Sequence, residues 1–183
     1  GLTPGKIFSR KNELMARSSE INVDIAGKSA HIAKAAEGLD ALAAGTEFYR
    51  RATAMEKALP AHIYRLLKFG KMESGTVRNA ISAHTRLEGS LRAFQDEIFD
   101  SLRQGLDDIA AQVSAETGCA VTVTSDEGYG AVMNPPELFD RAEKAVSFEV
   151  LADPSMTAED FSFYQKRIPG MFFFLGLGDT PPL

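Results

Sequence analysis

Residues 20–26, Glu-Ile-Asn-Val-Asp-Ile-Ala, alternate strictly between polar and apolar, and that period of two gathers Ile21, Val23 and Ile25 on one face only if the chain is extended. The pattern predicts a half-buried strand. After His31 the spacing slows to that of a helix, with Leu39, Leu42, Tyr49 and Ala52 as its apolar stripe and Pro60 beyond its end. Residues 62–70 read as extended and Glu73-Ser-Gly75 as a turn. Residues 80–91 then alternate again, with Ile81, Ala83, Thr85, Leu87 and Leu91 inward and His84, Arg86, Glu88 and Arg92 on the polar parity. From Asp96 to Glu116 the apolar residues Ile98, Leu102, Leu106, Ile109 and Val113 recur every three or four positions, which predicts an amphipathic helix closed at Gly118. A strand over 119–124 follows. Strand, helix, strand, strand, helix, strand is the order of a ferredoxin-like domain. Two helices cover only one face of such a sheet, so pairing with a second copy is expected.

Beyond Tyr129 the pattern changes. Asn134-Pro-Pro-Glu137 reads as a helix start capped by the asparagine, with Leu138, Phe139, Ala142 and Val146 as the buried stripe. Phe148 to Leu151 reads as a short strand and Thr157 to Arg167 as a helix capped by Thr157. Residues 171–177 read as an apolar strand buried on both faces of a parallel sheet. These elements are α/β in character and too few to close a doubly wound sheet. The expected class is therefore α+β: a ferredoxin-like βαββαβ domain over residues 19–126, flanked by residues 1–18 and 127–183 as parts of an incomplete α/β domain.

Composition narrows the partners. Among 183 residues, 20 Lys and Arg face 25 Asp and Glu, a net charge of −5 that gives no footprint for nucleic acid or an anionic membrane. No apolar run approaches a membrane span. Cys119 is the single cysteine, so no intrachain disulfide can form and a cytoplasmic setting is expected. Gly1 to Lys6 carries neither an initiating Met nor an apolar signal core and reads as interior to a longer frame. Spacing alone assembles no metal site and no phosphate loop. His31 follows Gly-Lys-Ser-Ala at a strand-to-helix junction, where anionic ligands are favoured, although by itself it reads more simply as a solvated loop histidine. His62 and His84 stand alone. Arg92 alone reads as a solvated cation, and Thr157-Ala-Glu159-Asp160 as a helix cap with acids in the first turn.

Several segments in order nevertheless point one way. Glu20 to His31 followed by Gly38-Leu-Asp-Ala41, Ser74 to Ile81 followed by Leu87 to Arg92, Asp153 to Tyr164, and Ile168 to Gly176 together resemble the lid and carboxy-terminal signatures of the two-metal amidohydrolase and aminoacylase family, of the hippurate hydrolase and N-acetyldiaminopimelate deacetylase type. Leu2 to Ile7 is similar to the segment that leads into that family's lid. Ala35, Ala80 and Ser82 depart from residues common there, namely Pro, Val and Pro.

The resemblance implies a ferredoxin-like lid through which subunits form a homodimer, inserted in an α/β catalytic domain that holds two divalent metal ions, zinc or manganese. The substrate implied is a small N-acyl amino acid of the N-acetyl or N-benzoyl type, whose amide a metal-held water attacks. By resemblance His31 is catalytic, donating to the oxyanion in the partner subunit's site, while Asn79 and Arg92 bind substrate. The family's metal ligands correspond to positions before Gly1 and just past Pro181-Pro-Leu183, so none is assigned here and this chain alone is expected to bind no catalytic metal. The competing reading is a stand-alone ferredoxin-like dimerisation or ligand-binding module without catalysis, which would have no use for the aromatic run Phe172 to Leu175.

Overall fold

The computed structural model describes residues 1–178, and Pro181 to Leu183 lie outside the described residues. Two short strands, β1 (Ile7–Ser9) and β2 (Asn12–Met15), precede the long alternating strand β3 (Arg17–Ala26). A 3-10 segment (Ile32–Glu37) leads into α1 (Ala41–Ala58), β4 (Arg65–Ser74), β5 (His84–Ala93), α2 (Asp96–Thr117) and β6 (Ala120–Ser125). The chain continues through β7 (Val132–Asn134), α3 (Pro136–Ala145), β8 (Glu149–Val150), α4 (Phe161–Gln165) and β9 (Phe174–Leu175). Contacts group these into two units, residues 19–128 and residues 1–18 with those from Tyr129 onward. The architecture is mixed α+β.

In the 19–128 unit four strands pair in the order β4-β5-β3-β6, with β4 antiparallel to β5 and β3 antiparallel to β6. Ile21, Val23 and Ile25 are fully buried, and they share their core with Phe48, Leu87, Leu91, Leu106 and Val113. In α2 the expected stripe is buried at Leu102, Leu106, Ile109 and Val113, with Phe99 in place of Ile98. Gly118 ends that helix at φ +74°, a left-handed turn that suits glycine, and its N–H returns to the Ser114 carbonyl.

α1 corrects the sequence reading. Leu42 and Tyr49 are about half exposed, and the buried row is Ala41, Ala44, Gly45, Phe48 and Ala52 with Glu56. The reason is close approach: a Cβ on Gly45 would lie 2.6 Å from Thr85 Cγ2, so the helix lays its small-residue face on the sheet. Leu39 lies before α1 and pairs with Lys28. β5 likewise starts at His84 rather than near residue 80. Ala83 is exposed and Ser82 buried, because the backbone of residues 79–83 is spent on bonds to residues 27–41.

On the exposed side of α1, Glu47 accepts from Arg50 at 2.7 Å and Arg51 at 2.6 Å, while Arg51 also grips Glu116. The hydrogen bonds from Arg50 and then Arg51 hold the Glu47 carboxyl down at about 2. Because the folded value is depressed, the stabilisation is present above the ordinary 4.5 and is lost as pH falls through about 2. Glu47→Gln is therefore expected to lower Tm at neutral pH, with a deficit that shrinks as the pH is taken from 6 to 2. A deficit independent of pH would contradict the assignment.

In the other unit the sheet order is β8-β1-β9, and β2 pairs separately with β7. Leu14, Met15 and Val132 form its core with Leu151, Phe161, Phe172 and Phe174 against them. Four expectations change here. Asn134 does not cap α3: Pro135 precedes the helix without a side-chain cap, and Asn134 is fully buried. Of the expected α3 stripe only Phe139 is buried, and Val146 is about half exposed. The helix expected over 157–167 is confined to Phe161–Gln165, because the backbone ahead of it pairs with β2, Ser155 N–H to Leu14 O and Ala16 N–H to Thr157 O. The apolar run at 171–177 also contributes only Phe174–Leu175 as strand, antiparallel to β1 at the sheet edge, with Leu175 and Leu177 exposed. Phe172 cannot extend it, since its N–H and C=O are taken by Asn134 and Ser9 side chains.

Candidate functional site

His31 stands where β3 runs out into the 3-10 segment, exposed, with φ −61° and ψ 140°. Its Nδ1 accepts the Ala33 N–H at 3.2 Å. In a neutral imidazole one nitrogen accepts and the other carries the proton, so this bond assigns the hydrogen to Nε2, a donor on an exposed side chain. The backbone on either side of the ring is fixed. Ile81 N–H reaches Ala30 O at 2.8 Å, Ile32 N–H reaches Asn79 O at 3.0 Å, and His31 bridges Ala80.

Those bonds bring Asn79 beside His31. Asn79 lies on an exposed turn after Gly75, whose φ of +70° lets the chain leave β4 sharply. Its carboxamide has no bonding partner among the described residues. Arg92 is elsewhere. Eight residues of strand separate it from His84, roughly 27 Å at ~3.4 Å per residue, and His31 is tied to the chain just before His84. The structure thus joins His31 to Asn79 and leaves Arg92 at the far end of β5.

Arg92 donates from Nε to Ser90 Oγ at 3.2 Å and lines a hollow of about 550 Å³ on the polar face of the sheet, with Lys68, Lys71, Glu20 and Glu88 around it. Gly70 leaves room there, since a Cβ on it would meet nothing within 4 Å. Arg86 donates to Glu88 at 2.9 Å and holds that carboxyl below the usual carboxylate range, so the hollow presents fixed charges of both signs. A second hollow, about 420 Å³, adjoins the His31 and Asn79 backbone and is lined by Ile32, Leu42, Val77, Ile81 and Arg78. Sequence reasoning passed over Arg78, Ile32 and Val77 as site residues and gave Leu42 to the core stripe of α1 and Ile81 to an inward strand face, whereas Ile32, Leu42 and Val77 are about half exposed. The one signal in the sequence was that Ile32 and Val77 belong to no core period.

The other singled-out residues stay apart. His84 lies 3.4 Å from Asp24 on the polar sheet face. Glu159 accepts the Asp160 N–H at 3.1 Å ahead of α4. Among the described residues no three His, Cys, Asp or Glu side chains converge on a point where a metal ion could sit. No helix among them is long and apolar enough to cross a membrane.

Residues 18–182 match the family model described as Peptidase family M20/M25/M40. The chain is 34% identical over 186 residues to an N-acetyldiaminopimelate deacetylase of Lacticaseibacillus casei, covering 97% of this chain and 48% of that protein. It is 30% identical to one from Shouchella clausii, covering 98% and 50%. The chain thus spans about half the length of the relatives it matches. Among solved structures, a dinuclear metal-binding peptidase of the M20 family from Bacillus subtilis superimposes with a TM-score of 0.74 at 23% identity, covering 96% of this chain and 45% of that one. A tripeptidase from Staphylococcus aureus gives 0.73 at 18% identity, covering 96% and 47%. These two likenesses show the fold.

Proposed function

Since the chain belongs to peptidase family M20/M25/M40, we propose that it is part of a metal-dependent amidohydrolase that cleaves the amide of an N-acyl amino acid of the N-acetyl or N-benzoyl type. In this reading residues 19–126 are a ferredoxin-like lid and dimerisation domain, a reading supported by the β4-β5-β3-β6 order. Residues 1–18 and 127–183 are an incomplete share of the catalytic α/β domain, supported by the exposure of Val150, Tyr164, Ile168 and Leu175 on a unit with a small core. The two divalent ions, zinc or manganese, polarise the scissile carbonyl when bound. The described residues offer no ligand set for them, so this chain's own contribution lies in binding and orientation.

The observation that carries the reading is the His31 geometry. With Nδ1 committed to Ala33 N–H, the neutral ring offers an Nε2–H, suited to a carbonyl oxygen as it gains negative charge. Asn79 adds a carboxamide beside it. Arg92 suits the substrate carboxylate, as a guanidinium can grip it with two bonds. Because Arg92 and His31 lie so far apart within one copy, a small substrate that uses both draws them from two copies, which supports a homodimer.

The test is hydrolysis by the longer protein of which this chain is a portion, loaded with zinc or manganese and offered N-acetyl and N-benzoyl amino acids. Release of the free amino acid, abolished by chelation and restored by metal, is expected, with no turnover by residues 1–183 alone. Metal-dependent turnover by the short chain, or none by the longer protein on any such amide, would overturn the reading.

A further inference from the structure

We propose that Ser82 is a positioning residue, whose buried hydroxyl locks the segment 79–83 onto the β4 and β5 strand ends and so fixes the frame that carries Asn79 and His31. The inference rests on the functional reading of His31 for its consequence, but not for its geometry. Ser82 is 7% exposed and Thr85 fully buried. Their hydroxyls form a short chain with Ser74: Thr85 Oγ1 lies 2.5 Å from Ser74 Oγ, Ser74 Oγ lies 2.9 Å from Ser82 Oγ, and Ser82 Oγ donates to His84 O at 2.8 Å. Each hydroxyl has one proton. With Ser82 giving its proton to the carbonyl, the two shorter contacts of Ser74 are both made when Ser74 donates to Ser82 and Thr85 donates to Ser74; Ser74 Oγ also lies 3.3 Å from His84 O, which ties it to the same carbonyl. Thr85 is held at the start of this chain by the close approach of Gly45 to its methyl group.

From Ser82 the constraint passes through backbone. Its own carbonyl accepts Ala41 N–H at 3.0 Å, and Ala83 O accepts Gly27 N–H at 2.8 Å. On the other side, Ile81 N–H and Asn79 O make the bonds to Ala30 and Ile32 that flank His31. Segment 79–83 is thus stitched to the His31 strand by its backbone and to β4 and β5 by this hydroxyl. Removing the hydroxyl leaves the stitches without their anchor on β4 and β5, so segment 79–83 parts from the His31 strand more often and the stitches open.

The test is amide hydrogen exchange on Ser82→Ala, with Ser74→Ala as a second variant at a half-buried position. In either variant the Ile32 and Ile81 amides are expected to exchange about tenfold faster, with Leu106 and Val113 in α2 unchanged. The ¹⁵N shifts of the His31 ring are expected to move from the Nε2–H form toward a mixture of tautomers. Equal acceleration in α2 would mean a general structural role and overturn the proposal, as would unchanged exchange at Ile32 and Ile81. Neither readout depends on turnover. If both behave as expected while loss of the His31 imidazole leaves catalysis intact in the longer enzyme, it is the functional reading that fails and the positioning role stands.

Discussion

In the proposed amidohydrolase, loaded with metal, replacing His31 by alanine is expected to lower kcat by about 10²–10³, with KM changed far less. The asymmetry follows from what Nε2–H meets. A ground-state amide oxygen carries partial charge and is satisfied by water almost as well as by an imidazole, so little binding is lost. The oxygen of the tetrahedral intermediate carries nearly a full charge, and a donor already oriented by the Ala33 bond reaches it without reorganisation. Glutamine is the informative second replacement. Its amide can donate but lacks the ring's fixed tautomer and the Nδ1 tether, so His31→Gln should recover part of the loss. The measurement is kcat and KM for an N-acetyl amino acid in the two variants and the parent, at saturating metal. A loss confined to KM would assign His31 to ground-state binding, and a kcat within a few-fold of the parent would remove it from the chemistry.

The legibility of the fold divides along the two units, for a physical reason. In residues 19–128 each long element buries one face against a single sheet, so periods of two and of three to four report burial directly. Ile21, Val23, Ile25, Leu106 and Val113 were readable for that reason. The phase of α1 was not, because close packing at Gly45 reverses the usual rule that the larger face is the buried one. In the other unit the elements are two to ten residues long and side chains replace the strand ladder, as when Asn134 takes the Phe172 backbone, so local pattern loses its meaning. The candidate site was legible in part. His31 and Asn79 stand out only through segments in a particular order, since a lone histidine and a lone asparagine on turns have no period. Their adjacency is a tertiary fact carried by the Ile32 to Asn79 bond. Arg78 was missed because an exposed arginine looks the same in sequence whether or not a hollow lies beside it.

Asn134 is where the largest stability effect is expected. The two protons of its carboxamide nitrogen are shared among Ser9 Oγ at 2.9 Å, Arg10 O at 2.9 Å and Phe172 O at 3.2 Å, and its oxygen accepts Phe172 N–H at 2.8 Å. Ser9 Oγ in turn donates to Phe172 O, so one fully buried side chain ties β1, β7 and the lead into β9. Asn134→Ala leaves the Phe172 N–H and the Arg10 carbonyl without these partners and opens a small void. At ~1–3 kcal/mol for each buried group left unsatisfied, the loss should be about 3 kcal/mol or more. Asn134→Asp separates packing from hydrogen bonding. Aspartate fills the same volume, but its carboxylate donates nothing, and the oxygen that replaces the nitrogen faces the Arg10 and Phe172 carbonyls, of which only Phe172 O keeps a donor, from Ser9. At neutral pH it should therefore cost at least as much as alanine, and the deficit should shrink as acid returns one proton to the carboxyl. Urea unfolding of the three proteins at neutral pH and near pH 4 reads all of this at once. An aspartate variant as stable as the parent at neutral pH would show that shape, not donation, is what this position supplies.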